Sequence, residues 1–209
     1  MSEVHVLDHP LIADKLTRMR RTSTQSKDFR QLLREISLLM GYEVTRDFET
    51  TTTTVETPIC MGEFPILKKD FFTIVPILRA GLGMVDGLLE LMPTAHVGHI
   101  GLYRDESTHM PVEYYYKMPE GVENSIIIVV DPMLATGGSA ADAIQSLKDR
   151  GCTNIRLMNL VAAPEGVKVV QESHPDVDIY VAAIDECLNK DAYIVPGLGD
   201  AGDRIFGTK

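Results

Sequence analysis

The chain has 209 residues, 30 acidic against 20 basic side chains, a formal charge of −10, and 44% hydrophobic with 24% charged residues. That composition suits one globular domain with a sizeable core and excludes intrinsic disorder and a coiled coil. The acidic balance excludes a general nucleic-acid binder, which carries a basic face, yet a few placed arginines can still receive an anionic small substrate.

The first residues, MSEVHVLDHP, hold neither a basic n-region nor an apolar h-region, so no secretory signal is expected there. No apolar run approaches the ~18 residues of a membrane helix. Cys60, Cys152 and Cys187 are far apart, which fits three core thiols in a reducing compartment. The expected location is the cytoplasm, with no membrane and no nucleic-acid partner.

Pro10–Arg21 and Ser26–Met40 read as helices. In the second, Phe29, Leu32, Leu33, Ile36, Leu39 and Met40 recur at three- and four-residue spacing, and Gly41 supplies a stop. The short basic cluster Arg18, Arg20, Arg21 reads as a solvated helix face. Glu49–Thr54 (ETTTTT) reads as an exposed β-edge or loop. From about residue 70, apolar runs alternate with helical segments. The runs are Phe71–Leu78, His96–Tyr103, Ser125–Val130, Asn154–Val161 and Asp178–Ile184; the helical segments are Leu82–Met92, Ala140–Arg150 and Glu165–Ser173. Continuous apolar strands separated by helices predict an α/β fold, doubly wound around a mainly parallel sheet, with the N-terminal helices packed on it or on a second subunit. Ligands in such sheets bind at the carboxyl ends of strands, so the residues after each run carry the functional question.

Four such places stand out. In SIIIVVDPMLATGGSAA (Ser125–Ala141) an apolar strand ends in Asp131, and Thr136, Gly137, Gly138 and Ser139 lead into a helix. Glycine backbone, hydroxyls and a helix N-terminus together suit a phosphate dianion, and Asp131 is placed to accept from sugar hydroxyls. The alternative is an αL turn with a Ser/Thr cap. In ILRAGLGMVDG (Ile77–Gly87) a strand ends in Arg79; Gly81 and Gly83 imitate a dinucleotide fingerprint, but Asp86 stands at its third glycine. A guanidinium at a strand end suits bidentate contact with phosphate oxygens. Arg104, after the next run, offers a second cation, and Val112–Lys117 (VEYYYK) suggests a β-hairpin flap, alternatively an interface ribbon. Last, Tyr193–Arg204 (YIVPGLGDAGDR) holds Pro196, Gly197, Gly199 and Gly202, which argue against regular structure and expose backbone groups able to read a planar base.

These motifs, in this order, resemble the uracil phosphoribosyltransferase family of the type I phosphoribosyltransferases over about Asp8 to Lys209. Many type I members carry two adjacent acids where this chain has Val130 and Asp131; the uracil branch is similar to it in this respect. The resemblance implies a pentosyltransferase that joins uracil to 5-phosphoribosyl 1-diphosphate (PRPP), giving UMP and diphosphate in pyrimidine salvage. It implies Mg²⁺ bound mainly through PRPP oxygens and water, a homo-oligomer (dimer or tetramer), and GTP activation in some members. By position it implies PRPP contacts from Arg79, Arg104, Asp131, Pro132, Met133, Leu134, Ala135, Thr136, Gly137, Gly138, Ser139 and Asp200. Uracil would be read by Ile194, Gly199, Asp200 and Ala201, and the catalytic set would be Arg79, Arg104, Asp131 and Asp200. One domain over 1–209 is expected, with a flap at about 105–120 and a base-binding hood at about 188–209. The six histidines show no zinc spacing. The rivals are a Rossmann-type NAD-dependent enzyme and a ligand-sensing regulator on the same fold.

Overall fold

A computed structural model describes residues 2–104 and 111–208. In chain order it contains β1 (Val4–Val6), α1 (Pro10–Arg20), α2 (Ser26–Val44), β2 (Thr50–Glu56), β3 (Met61–Leu67) and β4 (Phe72–Leu78). Then come α3 (Leu82–Leu91), β5 (His96–Val97), β6 (His99–Arg104), β7 (Pro111–Lys117), β8 (Ile126–Leu134) and α4 (Gly138–Lys148). The chain continues through β9 (Ile155–Ala162), α5 (Pro164–Ser173), β10 (Asp178–Ile184), β11 (Cys187–Leu188), β12 (Ile194–Val195) and α6 (Ala201–Phe206).

The strongly apolar runs become the interior of one sheet, in the order β1-β10-β9-β8-β4-β6-β7, with β5 on β4 beside β6. Every pairing is parallel except β6 with β7. Alternation along β8 divides its side chains between two cores. Ile128 and Val130 join the helices α1, α2, α3 and α6 on one face, while Ile127 and Val129 meet α4 and α5 on the other. That two-sided covering is why these strands lack polar alternation, and it bears out the doubly wound reading.

Several boundaries differ from expectation, each for a visible reason. Helix α2 runs past Gly41 to Val44. A Cβ at Gly41 would lie 2.6 Å from Leu88 Cδ2 of α3, and one at Gly87 would lie 2.2 Å from the Arg34 carbonyl oxygen. The glycine therefore serves helix–helix approach rather than termination, outweighing an intrinsic helix cost of about 1 kcal/mol. The threonine run is half of an antiparallel pair, β2 with β3, whose residues are mostly exposed. Strand β8 does not stop at Asp131 but continues to Leu134, because residues 131–134 keep pairing with β9. The glycine-rich tail does form regular pieces, β12 and α6. Cys152 is buried, but Cys60 and Cys187 are exposed, so only one of the three thiols belongs to the core. Among the described residues no helix is long and apolar enough to cross a membrane.

Candidate active site

Parallel pairing sets two strand ends side by side. Pro76 of β4 is level with Val130 of β8, so the turn after β4 faces the polar end of β8. Gly81 makes that approach possible: a Cβ there would lie 2.5 Å from the Val130 carbonyl oxygen and 2.7 Å from Ile77 N. Arg79, two residues earlier, is 60% exposed, with Nη2 4.0 Å from Asp203 Oδ1 and the guanidinium 5.7 Å from the Phe206 ring centre. Its charge is available to a ligand. Arg104 ends β6, with its side chain outside the described residues, and the stretch read as a flap has 105–110 outside them too. The described remainder, β7, is an edge strand of the main sheet with Tyr114 and Tyr115 exposed.

Beyond Val130, strand alternation sorts the motif. Asp131, Met133 and Ala135 border a cleft of about 350 Å³, while Leu134 is 1% exposed in the core, leaving only its backbone for a ligand. Asp131 Oδ1 accepts a long hydrogen bond, 3.4 Å, from Met133 N, and the Asp131 carbonyl accepts one of 2.7 Å from Asn159 Nδ2 on β9. Burial, opposed by the Met133 amide and reinforced by the charge of Asp200, pushes the Asp131 carboxyl up to about 7. Asn159 is fully buried and its Oδ1 has no hydrogen-bond partner, so the strand beside Asp131 carries an open acceptor.

This carboxyl has a sign-definite effect on stability. The unfolded chain ionises Asp131 near the ordinary 3.8, whereas the ligand-free fold holds the proton until about 7. Protons are therefore bound in excess by the fold between those values, and Asp131 costs stability progressively as pH rises through that window. Asp131→Asn should flatten this part of the stability profile and raise the melting temperature at pH 8 by a few degrees, about 2–4 °C per kcal/mol recovered. Thermal melts from pH 4 to 8 check it; identical slopes in both proteins would refute the buried-acid account.

The next turn is set by glycine. Gly137 has φ +82° and precedes α4, whose first-turn amides lack intrahelical acceptors. Behind the turn, Gly166 of α5 admits the loop: a Cβ there would lie 2.4 Å from the Ala135 carbonyl oxygen. Gly166 escaped the sequence reading because its helix looked ordinary. Gly138 and Ser139 open α4, and Ser139 is exposed.

The opposite wall comes from the C-terminal segment. Ile194, Gly199, Asp200 and Ala201 line the cleft across from Asp131, joined by Asp191, Ala192 and Tyr193, to which the sequence reading gave no individual role. Asp200 Oδ1 accepts from Asp203 N at 2.8 Å, capping α6. Thus Asp131, Met133, Ala135, Ile194, Gly199, Asp200 and Ala201 converge on one cleft, while Arg79 and the Thr136–Ser139 turn lie outside its lining. No group of three or more His, Cys, Asp or Glu side chains converges among the described residues. Two carboxylates with no closed cage fit a hard, hydrated cation held mainly by substrate oxygens, and they do not fit zinc.

A family model described as uracil phosphoribosyltransferase matches residues 6–208. The uracil phosphoribosyltransferase of Alkaliphilus oremlandii (strain OhILAs) is 65% identical over 209 residues, covering all of both chains. Among solved structures, the AQ2163 protein of Aquifex aeolicus superposes with TM-score 0.90 at 37% identity, covering 99% of each chain. The adenine phosphoribosyl transferase of Trypanosoma brucei, at TM-score 0.59 and 11% identity over 96% of this chain and 89% of its own, shares the fold alone.

Proposed function

The chain belongs to the uracil phosphoribosyltransferase family, and from that premise we propose that the cleft between Asp131 and Asp200 is where uracil meets PRPP, yielding UMP and diphosphate. The observation that carries this reading is the convergence of Asp131, the Ala135 end of the glycine turn and the segment Ile194 and Gly199–Ala201 on one cleft.

The chemistry assigns roles. The C1–oxygen bond to diphosphate breaks, uracil N1 bonds to C1, and the N1 proton is lost; positive charge develops on the ribose while negative charge gathers on the leaving group. Arg79, with Arg104 as its partner by position, stabilises the departing diphosphate. The turn Thr136, Gly137, Gly138, Ser139 at the start of α4 receives the 5-phosphate. Asp131, with Pro132–Ala135 beside it, accepts from the ribose hydroxyls. Ile194, Gly199 and Ala201 read the base through their backbone in a C-terminal hood spanning about 188–209. Asp131 and Asp200 would stand beside a Mg²⁺ ion held mainly by PRPP oxygens and water, and such an ion would neutralise charge on the diphosphate. Action in the cytoplasm accords with these metabolites, and self-association is supported by exposed Ile59, Met61, Phe64 and Ile66 on or beside β2 and β3.

Diphosphate release on mixing the protein with uracil, PRPP and Mg²⁺ tests the proposal; cytosine, hypoxanthine and orotate should release far less. Binding without release would point to the sensing regulator, and reduced-nicotinamide binding without PRPP binding to the Rossmann rival. Asp200→Asn should lower turnover about 10²-fold or more while the melting temperature moves by no more than about 2 °C, because asparagine caps a helix as well as aspartate does. Full activity in that variant would remove Asp200 from the chemistry.

A further inference from the structure

We propose that the ion pair of Arg20 with Asp185 sets the base selectivity of the site by holding both polar backbone groups of Gly197 in one orientation. The inference rests on the reading that the segment around Ile194 and Gly199 faces the base.

Arg20, at the end of α1, is not the solvated arginine its basic neighbours suggest. Its Nη1 and Nη2 donate to Asp185 Oδ2 and Oδ1 at 2.7 and 2.6 Å, and the carboxylate is only 6% exposed. The same Nη1 donates to the Gly197 carbonyl at 2.6 Å, and Gly197 N donates back to Asp185 Oδ2 at 2.8 Å. A second arginine fixes the next residue: Arg204 Nη1 donates to the Leu198 carbonyl at 2.8 Å, with Nη2 tied to the Arg21 carbonyl at 2.7 Å. Two successive carbonyls are thus drawn towards guanidinium groups. Gly199, at φ +81°, then brings the chain to the cleft. Arg20 and Asp185 do not line that cleft; Arg20 borders a separate depression of about 620 Å³ that shares Gly199 and Asp200 with it. They act through the loop, as positioning residues.

The need for such a clamp follows from backbone readout. Uracil offers O4 and N3–H where cytosine offers N4–H₂ and N3, so a peptide that rotates half a turn exchanges its preference for one base with that for the other. Glycine places almost no barrier against that rotation. Gly197 cannot be replaced to stiffen the loop, because a Cβ there would lie 2.1 Å from the Ile194 carbonyl oxygen. A bidentate pair from two distant elements supplies the rigidity that the loop residues lack.

The test is made on the full chain carrying Arg20→Lys, Arg20→Ala or Asp185→Asn, with steady-state kinetics on uracil and cytosine and hydrogen–deuterium exchange across 194–200. In Arg20→Ala and Asp185→Asn, KM for uracil should rise about tenfold or more, and the uracil-to-cytosine ratio of kcat/KM should fall by a similar factor. KM for PRPP should stay within about twofold, and Arg20→Lys should be intermediate. Exchange at 194–200 should quicken in step. A purely structural role would instead lower the active fraction while leaving the ratio and both KM values in place, and that result overturns the inference. Unchanged exchange with an altered ratio also overturns it, since the loop would not be the intermediary. Faster exchange with unchanged uracil KM overturns the placing of the base at this segment, while diphosphate release by the parent protein independently reports on the overall reaction.

Discussion

Arg79→Ala is expected to slow turnover about 10²–10³-fold while moving the melting temperature by no more than about 2 °C. The asymmetry comes from where the side chain stands. It is 60% exposed, the nearest carboxylate oxygen among the described residues is 4.0 Å away, and its contact with Phe206 is at 5.7 Å, so little of the described fold depends on it. Exposed pairs at such distances contribute about 0–1 kcal/mol. Its position after β4 is nevertheless tightly set, by six buried residues before it and by the Gly81 approach to β8 after it. A cation held by its backbone but unspent on the protein suits charge that appears only in the transition state. Stopped-flow or steady-state turnover beside a thermal melt checks this. Parallel losses of activity and stability would assign Arg79 to the fold instead.

Gly137→Val is the second large effect. PRPP binding should vanish and the melting temperature should fall by about 10 °C. From sequence, a valine at this place obstructs phosphate approach. The structure gives a further reason: at φ +82° a β-branched residue is strained, and its Cβ would lie 2.7 Å from the Gly166 carbonyl oxygen and 2.9 Å from Val169 Cβ. The left-handed backbone costs about 1–2 kcal/mol and overpacking about 1–3 kcal/mol more. The turn must therefore leave α5, dragging the start of α4 with it. Calorimetric titration with PRPP well below the lowered melting point separates the two losses. A folded Gly137→Val protein with the parent's PRPP affinity would dispose of the phosphate-cradle reading.

What the sequence displayed was the part written in local pattern. Apolar runs bounded by Arg79 and Asp131 announced the strands, because burial on both faces leaves no polar alternation to confuse with a surface. The glycine turn before α4 was legible for the same local reason. Gly41 misled, since its meaning lies in Leu88, far along the chain. So did Arg20, whose partners Asp185 and Gly197 are 165 and 177 residues away. Asp131 does border the cleft, but the end of its strand was not legible, because it depends on pairing with β9. Asn159 and Gly166 gave no signal at all: one reads as a polar interruption in an apolar run, the other as a weak helix residue.

The seam between α2 and α3 has one last consequence. Gly87 lets α3 lie against the Arg34 carbonyl of α2, and Gly41 receives the Leu88 and Leu91 side chains, so α3 is braced along one side like a splinted rod. Enlarging Gly87 would have to lever the rods apart, and α3 begins just after the turn that carries Arg79. Drift on this seam is thereby coupled to the height at which the Arg79 guanidinium stands in the proposed diphosphate site.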